Sequence, residues 1–316
     1  MFVRDFSAIE DRDGLIYTAR CNQFDPERIR CCLVYVPTNL PSIREDKEGK
    51  KYLKIPDETG FTILRSNLPS KLFTDPLTQD TYPAIPSNEV VQKLDPIDRL
   101  EDILARNDFP LLTNVINFFE EHGIERRFIG LFGSVMLNFK QKKLNDIDLI
   151  LYGIKNHQKY IQLRKEMISK YGYTEVPYSE TERIAAQPAM ANAPIGFELI
   201  LPIISNREST GLIKNNDRLS IKFSYLPEET RPVLRFPPLE ETRMEGEVVD
   251  DTEAFFLPYT YKVSANGRVY TIQTLNFAYF SAAFAGQKVS IFGTLRNNSE
   301  RDLITLSKPY HYISPK

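Results

Sequence analysis

The sequence predicts an α+β protein in three parts: a small β module, a central mixed sheet with helices, and a small β-barrel. Three observations predict it. Residues 1 to 56 hold short β-rich runs broken by turn residues, residues 96 to 227 alternate helical and strand-like periods, and residues 228 to 316 hold only short strands and turns. A chain of 316 residues also exceeds the roughly 100 to 200 residues of one ordinary domain. The expected divisions are 1–65 for the β module, 66–95 for a proline-rich linker, 96–227 for the central domain and 228–316 for the barrel.

In the first part an Asp13-Gly14 turn precedes LIYTARC, Asp25-Pro26 breaks the chain, and IRCCLVYV and KKYLKI follow as further strands. Cys21, Cys31 and Cys32 form no CxxC pattern, and neighbours on a strand point to opposite faces. They are expected as free, buried or half-buried thiols in a reducing compartment. Pro69, Pro76, Pro83, Pro86 and Pro96 then recur among polar residues, which reads as a linker or an extended wrap.

The central part opens with Asp95-Pro96 as N-cap and first helical residue before IDRLEDILAR. PLLTNVINFFEEHG places Leu112, Val115, Ile116 and Phe119 on one helical face and stops at Gly123. RFIGLFG is a strand that runs into Gly133-Ser134, followed by a short helical stretch VMLNFK, a basic turn QKKLN and the strand DIDLILY. A helix carrying Tyr160, Leu163, Met167 and Tyr171 on one face comes next, and strands are expected again at GFELILPII and RLSIKFSYL. Beyond Pro232, Pro237 and Pro238, the runs GEVVD, AFFLPYTYKV, RVYTIQTL, QKVSIFGTL and LITLS, with an Asn266-Gly267 hairpin signal, suit a barrel of about five strands.

Composition limits the function. The chain is 42% hydrophobic and 26% charged, the balance of an ordinary globular protein. A net charge of −2 argues against coating nucleic acid by bulk electrostatics. Residues 123 to 170, however, hold ten Lys or Arg against four Asp or Glu, so this stretch is basic and the rest acidic. Exposed lysines on a solvated helix give the same count. No apolar stretch approaches the roughly 18 residues of a membrane span, and the first residues lack a signal-peptide core, so a cytoplasmic location without a membrane partner is expected.

The chemistry concentrates between residues 130 and 152. Alternation puts Asp146 and Asp148 on one face of a strand while Ile147 turns into the core. Two carboxylates side by side in an apolar strand repel each other. A divalent cation relieves this, and Mg²⁺ or Mn²⁺ takes carboxylate and phosphate oxygen together. Gly133 lets the backbone approach a phosphate, and Ser134 offers a hydroxyl and an N–H to the same anion. Together these form a triphosphate and metal site suited to attack of a hydroxyl on the α-phosphorus of an NTP.

The run GLFGSVMLNFKQKKLNDIDLILYG resembles the signature of the DNA polymerase β-like nucleotidyltransferase superfamily: an apolar residue, Gly-Ser or Gly-Gly, a gap of about ten, then Asp-x-Asp or Asp-x-Glu. The resemblance implies that Gly133 and Ser134 hold the triphosphate and that Asp146 and Asp148 are catalytic metal ligands. A weaker likeness over most of the chain, carried by DGLIYTA, VYVP and NRESTGLI, is to predicted prokaryotic, largely archaeal nucleotidyltransferases. Those carry a β-rich N-terminal segment and a short C-terminal β domain.

The superfamily places a third carboxylate on a later strand beside the pair. RLSIKFSY has Ser220 and Lys222 there, and the nearest acids are Asp217 and Glu198. Glu198 is the stronger candidate as a third catalytic ligand, and it reads equally as a solvent-facing residue of a half-buried strand. Lys143 is a candidate nucleotide-binding residue, and with Lys140 and Lys142 it either contacts phosphate or polynucleotide or is merely exposed. The barrel, if of the OB type, would bind single strands through Tyr259, Tyr261, Tyr270, Phe277, Tyr279 and Phe280, or else pack these in its core. His122, His157 and His311 have no ligand spacing. The expected function is transfer of NMP from an NTP to a hydroxyl, on an RNA or tRNA end, a protein or a small molecule. The competing reading is a non-catalytic nucleotide- or nucleic-acid-binding protein on a degenerate transferase fold.

Overall fold

The computed structural model describes residues 3–20, 27–55, 57–107, 109–140, 146–190, 195–206, 211–298 and 301–316. They fall into two compact units: Met1–Gly60, Pro83–Val176 and Ser209–Thr230 form the first, and Phe61–Tyr82, Pro177–Glu208 and Arg231–Lys316 the second. Elements form an α+β arrangement with mixed and antiparallel sheets. No helix among the described residues is long and apolar enough to cross a membrane.

The chain begins with β1 (Ala8–Asp11), β2 (Ile16–Ala19), β3 (Arg28–Pro37) and β4 (Tyr52–Lys54), as its β-rich runs predict. After α1 (Asp57–Asn67) come β5 (Leu72–Thr74), β6 (Thr81–Pro86) and β7 (Val90–Leu94). In the first unit the strand order is β6-β3-β2-β1-β7, with β4 also on β3. Alternation along β3 buries Ile29, Cys31, Leu33 and Tyr35. Cys31 is therefore buried and Cys32 half-buried, both free, while Cys21 lies outside the described residues. Buried Asp11 fastens the first hairpin, accepting from the N–H groups of Asp13 and Leu15 at 3.0 Å and from the Tyr17 hydroxyl at 3.1 Å. The 66–95 stretch, expected as a linker, carries three strands. Pro69 starts a 3-10 turn and Pro86 ends β6, positions where a missing N–H costs no interior ladder bond.

The central elements follow as α2 (Pro96–Arg106), α3 (Pro110–Glu121), β8 (Ile129–Leu131), α4 (Gly133–Met136), β9 (Asp146–Tyr152), α5 (Ile154–Tyr171) and β10 (Thr174–Glu175). Asp95 caps α2 by accepting the Ile97 N–H at 3.0 Å, and Asn107 ends it in the left-handed region. Leu112, Val115, Ile116 and Phe119 of α3 are all buried, each stabilising the core by about 1.5–3 kcal/mol. The chain contributes α6 (Tyr178–Met190) and α7 (Phe197–Asn206) to the second unit, then returns for β11 (Leu212–Lys214) and β12 (Asp217–Ser224). The five-stranded sheet has the order β10-β11-β12-β9-β8, and its β12–β9 pair is parallel while the others are antiparallel. Gly130 lets α2 close on β8, since a Cβ there would lie 2.7 Å from Pro96 Cβ and 2.9 Å from the Tyr152 ring.

GFELILPII, expected as a strand, is helix α7. Its β-prone residues and internal Pro202 argue locally against a helix. Burial decides otherwise, because Ile200, Ile203 and Ile204 recur at helical spacing and are covered within the second unit, where α7 packs with α6.

The remaining strands are β13 (Glu240–Asp250), β14 (Tyr259–Ala265), β15 (Arg268–Thr274), β16 (Lys288–Asn298), β17 (Arg301–Thr305) and β18 (Tyr312–Pro315). The ring β13-β14-β15-β17-β16-β13 closes a five-stranded barrel, with β18 added along β16. Its third and fifth strands pair in parallel, the connectivity of an OB-type barrel. Asn266 and Gly267 turn the β14–β15 hairpin with positive φ, as their dipeptide predicts. AFFLP, expected to start a strand, is instead a buried turn, and β14 starts at Tyr259. Arg296 is 1% exposed and fully engaged: Asp80 accepts two bonds at 2.7 and 2.8 Å, and Thr78 O, Phe236 O and Thr305 Oγ1 accept the rest.

Candidate functional site

In the first unit β9 holds Asp146 exposed, Ile147 buried and Asp148 half-buried, so both carboxylates share one sheet face, as alternation predicts. The turn after β8 is tied to that strand: Phe132 N–H donates to Asp148 O at 3.1 Å. Gly133 has a φ of +76°, and a Cβ there would stand 2.4 Å from Asp148 Oδ2. Only glycine permits this approach of backbone to carboxylate. Ser134 follows, half-buried, at the start of α4. Gly133 and Asp148, fifteen positions apart in the sequence, thus meet at one spot.

Asp148 is raised to about 7, first by burial and then by the charge of Asp146. Lys222, Lys54 and Arg218 act in the opposite direction. A half-buried carboxylate facing a second one, short of full neutralisation, is the oxygen donor set that a hard divalent cation takes. Among the described residues no group of three or more carboxylate, imidazole or thiol side chains stands together, so this pair would bind a cation with further oxygen from a ligand.

β12 is the strand on which the resemblance places a third carboxylate. Its parallel register sets Arg218 opposite Asp146, Ser220 opposite Asp148 and Lys222 opposite Ile150, all on the carboxylate face. Asp217 alternates to the other face, and its charge is felt by Tyr173 at the far end of the sheet. Glu198 is an exposed residue in the first turn of α7, in the second unit, with its carboxylate folded against Gly196. The expected strand setting for it does not exist. Lys142 and Lys143 lie outside the described residues. Lys140 is engaged with the N-terminal module, pairing with the Glu45 carboxylate and donating its N–H to Glu45 O at 2.6 Å.

That module reaches the site through residues the sequence did not single out. Tyr35 and Tyr52 pack on Phe139 at 5.2 and 5.3 Å between ring centres, and Phe6 on Phe132 at 5.9 Å. Tyr35 is pushed up to about 12 by burial, with Arg44 opposing and the Asp148 charge adding. Lys54 at the end of β4 acts on Asp148 in turn. No local motif marks these residues, because their proximity depends on sheet-to-sheet packing.

In the second unit, Tyr259, Tyr261, Tyr279 and Phe280 are buried, Tyr279 donating its hydroxyl to His311 O at 2.5 Å, so four of the six aromatics expected to stack on bases are core. Tyr270 and Phe277 are half-buried. The outer face of β13, β16 and β18 carries other aromatic residues, with Arg243 4.6 Å over the Phe292 ring and Tyr310 and Tyr312 beside it. His122, His157 and His311 sit apart against aromatic rings. Compared with known proteins, the chain matches no family model, no curated protein and no solved structure.

Proposed function

We propose that the chain is a metal-dependent nucleotidyltransferase that moves a nucleoside monophosphate from an NTP to an acceptor hydroxyl. The observation that carries this reading is the contact of the Gly133 backbone with Asp148, which makes the phosphate turn and the carboxylate pair a single site. Asp146 and Asp148 hold Mg²⁺ or Mn²⁺, and the backbone at Gly133 and the Ser134 hydroxyl receive the triphosphate. The bound cation supplies charge neutralisation along the phosphates. Lys222, Arg218 and Lys54 add positive charge on the same side. In the reaction the acceptor oxygen bonds to the α-phosphorus, the bond from that phosphorus to the bridging oxygen breaks, pyrophosphate leaves, and the hydroxyl proton passes to solvent. An RNA or tRNA end is the favoured acceptor, supported by the basic excess of residues 123 to 170 and the OB-type strand order of the barrel.

Incubation with radiolabelled NTPs, Mg²⁺ or Mn²⁺ and a panel of RNAs, proteins and small hydroxyl compounds tests this. Label is expected on one acceptor class, with Asp146→Ala and Asp148→Ala lowering transfer by about 100-fold or more. Absence of label on every acceptor sinks it. A second reading, a nucleotide sensor without turnover, is favoured by the basic residues on β12. It predicts calorimetric NTP binding with no pyrophosphate release.

A further inference from the structure

The face of β12 beside the carboxylate pair presents arginine, serine and lysine in successive outward positions, and no acid. Arg218 leans toward the sheet edge, its Nε 3.1 Å from where a Cβ on Gly211 would stand. Lys54 is exposed and comes from another strand. Lys222 is half-buried on β12 itself, one step beyond Ser220, the residue opposite Asp148. Diagonal neighbours on adjacent strands have about 7–8 Å between them, within reach of a lysine side chain. Lys222 is also the first cation acting on Asp148.

Charge bookkeeping gives this position its meaning. Three carboxylates need two divalent cations before the site attracts a triphosphate. Two carboxylates are cancelled by one, and an ammonium then leaves the site positive. We propose that the site takes a single divalent cation, held by Asp146 and Asp148 together with nucleotide phosphate. The Lys222 ammonium then stands where the third carboxylate and its second cation would, neutralising phosphate charge directly. This rests on the nucleotide-and-metal reading of the same site, and it makes the missing carboxylate a substitution of one charge device for another.

The experiment counts Mn²⁺ per chain by electron paramagnetic resonance at saturating α,β-methylene-ATP, and measures affinity for that analogue by calorimetry. One Mn²⁺ is expected on the wild-type protein. Lys222→Met should still bind one Mn²⁺ and hold the analogue at least 10-fold more weakly, while Lys222→Arg keeps most of the affinity. Two Mn²⁺ on the wild-type protein overturn the proposal, and that count needs no variant to fold. So does a Lys222→Met protein that binds the analogue as tightly as wild type, the result expected of a lysine that merely pairs with Asp148. A wild-type protein that binds neither Mn²⁺ nor analogue overturns the nucleotidyltransferase reading itself.

Discussion

Gly133 and Asp148 show how tightly two residues can constrain each other. With φ at +76° and no room for a Cβ beside Asp148 Oδ2, Gly133→Ala should cost about 1–3 kcal/mol in urea unfolding, from backbone strain and displacement of the carboxylate. An unchanged midpoint would mean the turn has another conformation. Asp148 adds an energetic argument, since its raised carboxyl is a cost of folding that a bound cation would remove. Mn²⁺ at about 100 times its Kd should stabilise the protein by roughly 3 kcal/mol over EDTA-treated protein. That gain should vanish in Asp148→Asn, as read by thermal melting.

At the scale of elements, buried His311 and half-buried His157 weaken the fold in acid. His311 Nδ1 accepts the N–H groups of Ser307 and Lys308 at 3.2 Å, and burial lowers its pKa to about 4. Burial likewise lowers His157, which projects from α5 with its ring edge-on to Phe223 at 4.6 Å between centres, to about 4. Above about pH 6.5 both states are neutral and the stability is fully present. As pH falls toward 4 the unfolded chain takes up protons that the folded chain refuses, so stability is lost across that window. After allowance for solvent screening the loss is about 1–2 kcal/mol for each histidine. Urea titrations at pH 7, 5.5 and 4.5 should show the decline, and His311→Asn should flatten it. Elements were legible in the sequence where local signals agreed with burial: Asp95-Pro96 capping α2, the apolar face of α3 and the Asn266-Gly267 hairpin. Helix α7 was not, because its isoleucines favour a strand locally and Pro202 disfavours a helix interior, while the cover on one face rewards a helix.

Over the whole molecule, each unit is assembled from three separate stretches, so neither can be released by one cut. In the second unit the Asp75–Asp80 turn supplies three of the hydrogen bonds of Arg296, through Thr78 O and Asp80, and, through Asp75, the partner of Arg235 at 2.8 Å. Removing the acid from a buried, bidentate pair leaves an uncompensated charge. Asp80→Ala should therefore destabilise the protein by about 3–5 kcal/mol in chemical denaturation. For the same reason the fragment 231–316, which contains every barrel strand but lacks Asp80 and Thr78, should fail to show a cooperative melt by circular dichroism. A sharp transition in that fragment would show that the barrel strands suffice alone.

The sequence by itself determined the β-rich ends, the helices whose caps and periodicity agree, and the placing of Asp146 and Asp148 on one face, because alternation along a strand is local geometry. It also pointed to Gly133 and Ser134, through order and spacing. Tertiary structure alone decided that β12 lies parallel to β9 with Lys222 on the shared face, that Asp217 faces away, and that the charge of Asp148 is felt by Tyr35 and opposed by Lys54. It likewise decided which barrel aromatics are core. Strand partners and sheet contacts come from burial summed over distant segments, and no window of sequence contains that sum.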